Sequence, residues 1–345
     1  MEELLYNSSF TLYALPLPTP VRLLNLLSAS PSTLATHATN LQTHLTSHRP
    51  AYEAEEEREK FGSLRTCTIT PLTTSGLEFS IIYDRTTYKF IVYTSSDTKT
   101  SPASASLPLV LAKANASLTK RFFSFLATTY HLSDPTSLKL SSHLLLFTTQ
   151  TYISALHHSL EPLTENHSIL SLLRDIIGSL KITISVNDAS SKAQLIKPHL
   201  RTIDLDVTSE TLYQLLQNSV PRRPSERSKK HDDPLPPITF LAELKNLVRE
   251  RTGLKLPITP EEPKQPLADN VNGATIDEPV LRVTRIQSTA FAISVEGRLK
   301  LSNKPVDMMD VVPGLTGGDE NVVKLANKGL LEAIVKEAER IGAGD

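Results

Sequence analysis

Short alternating runs joined at hairpin distance are the feature that most constrains the fold of this chain. Three runs rich in isoleucine, threonine, tyrosine and phenylalanine follow one another after short gaps: 65–72, 77–83 and 88–94. Successive side chains of a strand point to opposite faces, so these runs with such short connections predict an antiparallel meander. The same pattern returns late in the chain in 281–286, 291–295 and 298–301.

Helical periodicity occupies most of the sequence between these runs. Apolar residues recur at three- and four-residue spacing in 118–132, 141–156, 169–177, 209–217, 241–248 and 322–341. Because helices and strands are segregated along the chain instead of alternating strand by strand, we predict an α+β fold. At 345 residues the chain is long enough for two domains. We place them at 1–160 and 161–345, each with a mainly antiparallel sheet packed by helices.

The aromatic helix of the first half gives a specific packing expectation. Phe122, Phe125 and Leu126 share one face of the helix predicted over 118–132. We expect this face to pack against the sheet formed by residues 65–94.

Three stretches of the second half are predicted to be flexible insertions: 219–237, 257–279 and 302–320. The first contains a basic cluster in the loop 221–231, formed by Arg222, Arg223, Arg227, Lys229 and Lys230. A segment with so little to bury is predicted to lack fixed structure. The cluster can serve as a nuclear-import signal, as a contact to DNA or RNA phosphates, or only as a solvated linker.

Composition excludes several classes of protein. The formal net charge of −1 provides no overall field that favours nucleic acid or a membrane surface. The single cysteine, Cys67, excludes an internal disulfide framework and any multi-cysteine zinc site. No run approaches the ~20 apolar residues of a membrane helix, so no interaction with a membrane is expected.

The sequence shows no convincing catalytic, cofactor or metal motif. The glycine-rich stretch 314–318 precedes a helix but lacks a following lysine, and Asp319 and Glu320 would repel a phosphate. His157 and His158 are adjacent, so on a helix they diverge by about 100° and chelate one ion poorly. Cys67 is interpreted as a small core residue. We therefore predict a protein that is not an enzyme and needs no cofactor.

A series of short phrases resembles one known family. The chain opens with Leu-Tyr-Asn-Ser-Ser-Phe-Thr-Leu at 5–12, and an apolar Leu-Pro-Leu segment at 107–111 precedes the paired aromatics of 121–126. Thr-Ile-Asp-Leu-Asp at 202–206 and a strand pair at 281–285 and 297–301 complete the series. In this order the phrases resemble the CENP-L family, in its fungal branch. Residues 14–17 depart from the family, which has Ser-Pro-Leu-Tyr at this point.

The resemblance implies a function that the residues alone do not declare. It implies a non-enzymatic structural subunit of the inner kinetochore, within the constitutive centromere-associated network, that supports chromosome segregation. It further implies a heterodimer with a CENP-N-like subunit, contacts with other inner-kinetochore subunits, an indirect link to the centromeric nucleosome, and a location in the nucleus at the centromere. In relatives the C-terminal halves associate through β-sheet surfaces. A homodimer remains an alternative.

The late strand series supplies the candidate interface. An exposed edge strand is a template for pairing with another chain, and charged residues alternate there with apolar ones. The candidates are Arg282, Val283, Arg285, Arg298, Leu299, Lys300 and Leu301. Two other functions stay open: a nucleic-acid-binding protein that acts through the basic loop, and an enzyme of unrecognised type.

Overall fold

The computed structural model of the protein describes most of the chain. The described ranges are 3–47, 51–72, 76–94, 106–161, 166–187, 202–219, 239–253, 280–310 and 321–343. Within the described part of the chain, no helix combines the length and the apolar character that a membrane span requires.

Strands and helices occur in the order that the periodicity predicts. The strands are β1 (Ser9–Ala14), β2 (Leu64–Leu72), β3 (Gly76–Tyr83), β4 (Thr87–Tyr93), β5 (Leu109–Lys113), β6 (Thr136–Ser137), β7 (Leu180–Asn187), β8 (Thr202–Val207), β9 (Val280–Gln287), β10 (Phe291–Ser294) and β11 (Arg298–Leu301). The helices are α1 (Val21–Leu24), α2 (Pro31–Ser47), α3 (Ala51–Phe61), α4 (Ala116–Tyr130), α5 (Ser142–Leu160), α6 (Asn166–Ile177), α7 (Ser209–Ser219), α8 (Phe240–Thr252), α9 (Lys304–Asp310) and α10 (Val322–Gly342). The α+β fold class is confirmed.

The chain forms two compact units. Unit 1 comprises Met1–Lys139, Glu296–Lys300 and Leu331–Asp345, and unit 2 comprises Leu140–Val295 and Leu301–Leu330. These bounds differ from the predicted domains 1–160 and 161–345, because α5 belongs to unit 2 while most of β11 and the end of α10 belong to unit 1. The division into independently folding domains stays a prediction.

Unit 1 is built on an antiparallel sheet. The strand order is β2-β3-β4-β5-β1-β11, and the short β6 also pairs with β1. β2, β3 and β4 form the predicted meander. β1 pairs with β11, although the two strands lie near opposite ends of the sequence, with Thr11 opposite Arg298. The sequence did not identify β5 as a strand, because Leu109, Val110 and Leu111 are all fully buried and so show no alternation.

The core of unit 1 is centred on the aromatic residues of α4. Phe122 is fully buried and stacks on Phe90 with ring centroids 4.0 Å apart, while Phe79 meets it edge-on at 5.2 Å. The predicted packing of this residue against the sheet is confirmed. Phe125 is equally buried, but its ring neighbours are His44 of α2 and Tyr130.

Unit 2 has an antiparallel sheet of order β10-β9-β7-β8. One face of this sheet is apolar and is covered by helices. Tyr152 of α5 lies edge-on against Phe291 with ring centroids 4.8 Å apart, and the Ser142 hydroxyl donates to the Val283 carbonyl at 3.0 Å. α6, α7 and α8 pack beside α5. The opposite face carries polar residues, as expected for an antiparallel sheet with one solvated side.

Short-range signals fixed several helix ends. The Ser141 hydroxyl accepts from the Leu144 amide at 3.1 Å, and the Thr208 hydroxyl accepts from the Thr211 amide at 3.3 Å. These are side-chain caps of the first turn. Gly253 ends α8 in the left-handed region, with φ of +72°, where a glycine avoids the Cβ penalty.

Two of the predicted flexible insertions contain residues that the structure places in helices. Within 302–320, α9 occupies Lys304–Asp310, because Pro305 suits the first turn of a helix and Val306 is buried. At the start of 219–237, Ser219 is the buried last residue of α7. Residues 220–237 and the whole of 257–279 lie outside the described residues.

Candidate interaction surface

An open sheet edge in unit 2 is the strongest candidate for an interaction site. β8 pairs with β7 on one side, and in the part of the chain that the structure describes no strand lies on its other side. The N–H and C=O groups on the outer side of such a strand are available to another chain.

Side-chain hydrogen bonds identify which residues of β8 present their backbone outward. The Thr183 carbonyl of β7 accepts from the Thr284 hydroxyl of β9, so it points away from β8. Backbone direction alternates along a strand, so the N–H and C=O groups of the neighbouring Ile182 point toward β8. Leu205 lies opposite Ile182, and its own backbone groups therefore point toward β7. Thr202, Asp204 and Asp206 therefore present their backbone groups outward.

Arg251 of α8 caps one position of this edge. Its guanidinium donates to the Asp206 carbonyl at 3.1 Å, which independently places that carbonyl on the outer side. A long basic side chain over an edge strand is a common way to limit unwanted pairing. The amide of Asp206 and both backbone groups of Asp204 have no such cap in the described structure.

The open polar face beside the edge carries a ladder of charges. Lys181 donates to Asp204 at 2.9 Å, and the Thr183 hydroxyl donates to the same carboxylate at 2.8 Å. The hydrogen bond from Lys181, followed by that from Thr183, lowers the pKa of Asp204. The hydrogen bond between Lys181 and Asp204 also raises the pKa of Lys181. Lys181 and Asp204 are exposed and Thr183 is half-buried, so this ladder sets the charge pattern of the surface more than it stabilises the fold.

The late strands that were predicted to carry the interface already pair with other strands of the chain. β9 pairs with both β7 and β10, so it has no free edge, and β11 pairs with β1. Three of the candidates are buried in the chain's own core with 1% exposure each: Val283, Leu299 and Leu301. Their side chains are therefore not accessible to a partner.

The charged candidates remain on the surface. Arg282 and Arg285 of β9 are exposed on the polar face of unit 2, and Arg298 and Lys300 of β11 are exposed in unit 1. The structure brings Arg285 beside the charge ladder, because Thr183 lies opposite it in β7. A role of these four residues in partner binding stays a prediction.

Sequence reasoning missed Asp204, Asp206 and Arg251 as site residues. Thr-Ile-Asp-Leu-Asp was noticed as a family phrase, and its alternation already indicated one polar face. Nothing in the local sequence shows that β8 would be the outer strand of its sheet.

A second open edge lies in unit 1 but is more strongly blunted. β2 pairs with β3 on one side only among the described residues. Its register shifts between Leu64 and Thr66, Pro71 lacks an amide donor, and Gln42 of α2 donates to the Arg65 carbonyl at 3.4 Å. A bulge, a proline and a side-chain cap each disfavour pairing with another strand.

The described residues show no catalytic arrangement. A cavity of about 480 Å³ in unit 2 is lined by Arg174, Asp175, Ser209, Thr289 and Lys304, with Gly178 and Pro305. In the described structure no hydrogen bond joins the hydroxyl of Ser209 or of Thr289 to Asp175 or Lys304, so no nucleophile–base pair is assembled there. Nor do three or more potential metal ligands converge anywhere in the described ranges. The glycine-rich stretch 314–318 and the basic loop 221–231 lie outside those ranges.

Cys67 is expected to react with a thiol reagent only after unfolding. Its side chain is 5% exposed, and burial raises the pKa of its thiol to about 12. At about pH 8 the thiol therefore stays protonated, and the thiolate is the reactive form. Labelling by Ellman's reagent with and without denaturant checks this, and rapid labelling of the native protein would contradict the assignment to the core.

The comparison with known families gives one match. The family model described as CENP-L, Centromere protein L, matches residues 4–339, which is nearly the whole chain. No curated protein matches the chain.

Proposed function

Because the chain belongs to the CENP-L family of centromere proteins, we propose that it is a structural subunit of the inner kinetochore that pairs with a CENP-N-like subunit through β8. Family membership makes it a centromere protein of the kinetochore, with a part in chromosome segregation and cell division. The family is a structural component of the kinetochore and is not a known enzyme family. Pairing, the specific partner and the strand that carries it belong to the proposal.

The open edge of β8 is the observation that carries this proposal. Outward N–H and C=O groups at Asp204 can extend the sheet by one strand of a partner, and such pairing supplies both hydrogen bonds and register. A stable heterodimer buries roughly 2,000 Å² or more in total. One strand is too small for that area, so the polar face of unit 2 and neighbouring helices complete the interface.

Assembly through unit 2 agrees with the family expectation that C-terminal halves associate. β8 has one capped position, at Asp206, whereas β2 combines a bulge, a proline and a cap. A partner strand would therefore meet fewer obstacles at β8. Nuclear import through the basic loop is compatible with this role and stays a prediction.

Asp204→Pro is expected to weaken binding of the CENP-N-like subunit by about tenfold or more, because it removes an outward donor and places a ring at the edge. The Asp204 amide is not used by β7, so the fold should persist, as proline is tolerated at such edge positions. Coexpression of the full-length chains, followed by size exclusion and a measured dissociation constant, checks this.

Two matched variants control the experiment. Asp204→Asn removes the charge but keeps the amide donor, so it separates the backbone effect from the side-chain effect. Thr68→Lys alters the exposed side of β2 and should leave binding unchanged. If Thr68→Lys disrupts the complex while Asp204→Pro does not, assembly proceeds through unit 1 and the proposal is wrong.

A further inference from the structure

We infer that Asp204 and Asp206 make the β8 edge selective for a partner strand with basic side chains at alternate positions, and unfavourable for pairing with a second copy of this chain. This inference rests on the proposed pairing through β8. It specifies which side chains a partner strand must carry to pair with the β8 edge, and therefore whether the assembly is heterotypic.

The outward backbone and the acidic side chains belong to the same residues. Asp204 and Asp206 are exposed on the polar face, while Leu205 and Val207 are buried on the helix-covered face. Residues directly opposite each other in an antiparallel pair lie on the same face. Any strand that bonds to this edge therefore places a side chain directly against each aspartate.

A second copy of β8 meets this edge with like charges. A twofold pairing centred on Asp204 places this residue opposite its own counterpart, and one centred on Leu205 places Asp204 opposite Asp206 of the second copy. Centres at Ile203 or Asp206 would pair only about half of β8. Every symmetric register that uses most of β8 thus opposes carboxylates, and like charges directly opposite each other destabilise a strand pair.

The two aspartates differ in how far the chain itself neutralises them. Asp204 already accepts hydrogen bonds from Lys181 and Thr183. The carboxylate of Asp206 forms no ion pair among the described residues, although Lys181 lies opposite it in β7 and interacts with it at longer range, and Arg251 binds its backbone carbonyl. Asp206 is therefore the stronger determinant, and a lysine or arginine opposite it gains a partner without displacing one.

The test uses the full-length chain and the CENP-N-like subunit, with binding measured at low and high salt. The charge-reversed variant combines Lys181→Glu, Asp204→Lys and Asp206→Lys. Positions 181 and 204 then still form an ion pair, with the two charges exchanged, so the fold should persist. We expect it to weaken binding by about tenfold or more relative to the wild type. The neutral variant D204N/D206N should weaken binding less and should lose most of the salt dependence.

The self-pairing part is checked by sedimentation of the wild-type chain alone. A monomer at micromolar concentration is expected. A wild-type dimer that Asp204→Pro dissolves would overturn the inference.

The remaining outcomes separate this inference from the proposed function. If charge reversal leaves binding unchanged while Asp204→Pro abolishes it, the edge is the interface but the aspartates do not select the partner. If neither variant changes binding, β8 is not the interface and the proposed pairing fails first.

Discussion

Phe122→Ala is expected to lower the free energy of unfolding by about 3–5 kcal/mol, the range for a large side chain removed from a close-packed core. Phe122 is fully buried between the sheet and α4, with Phe90 stacked on it at 4.0 Å and Phe79 edge-on at 5.2 Å. Truncation removes both ring contacts and leaves a cavity among rigid strands that cannot close over it. Chemical denaturation with an unchanged m-value would measure the loss.

Phe147→Ala provides the matched control for this prediction. Phe147 also lies inside a helix, α5, but its side chain is 51% exposed. The same chemical change there should cost under about 1 kcal/mol. Equal losses at the two positions would show that Phe122 does not occupy the core site described above.

Gly297→Ala is expected to destabilise the protein by about 3–4 kcal/mol, because two costs combine at this position. Gly297 has φ of +68°, a conformation that an L side chain adopts with strain. A Cβ added there would also lie 2.0 Å from the Leu138 carbonyl oxygen, which is backbone and cannot rotate away. The Gly297 carbonyl accepts from the Leu12 amide at 2.7 Å, so any shift would also disturb β1.

Gly253→Ala separates these two costs. Gly253 has nearly the same φ, +72°, but an added Cβ would meet no atom of the described residues within 4 Å. It should therefore show the conformational cost alone, about 1–2 kcal/mol. Unfolding free energies of both variants, measured in the same denaturant, give the steric part by difference. A Gly297→Ala loss no larger than that of Gly253→Ala would contradict the close approach of Leu138.

The candidate interface residues show what alternation along a strand can and cannot predict. Arg282 and Arg298 were predicted to lie on a polar face because charged residues alternate there with apolar ones, and both are exposed. Val283 and Leu299 were placed in the same interface, yet both are core residues. Alternation distinguishes the two faces of a strand, but it does not show whether the strand lies at the edge of its sheet.

Strand order depends on partners that are distant in sequence. β9 is an interior strand because β7, about a hundred residues earlier in the chain, pairs with it, with Arg282 opposite Ser185. β11 similarly finds β1 at the other end of the sequence. No window of local residues contains such information, so the premise of a free edge in the late strands could not be tested before the fold was known.

The sequence by itself determined most of the elements, the α+β class, the family and the polar or apolar faces of the strands it predicted, since these follow from local periodicity, caps and the order of short phrases. Only the tertiary structure decided which strands have a side without a partner strand in the described part of the chain. That choice comes from long-range burial: the helices cover the apolar face of unit 2, the interior strands satisfy each other's backbone groups, and β8 remains with Asp204 and Asp206 facing outward. The acidic phrase was visible in the sequence, but its position in the outer strand of the described sheet was not, and the proposed pairing depends on that position.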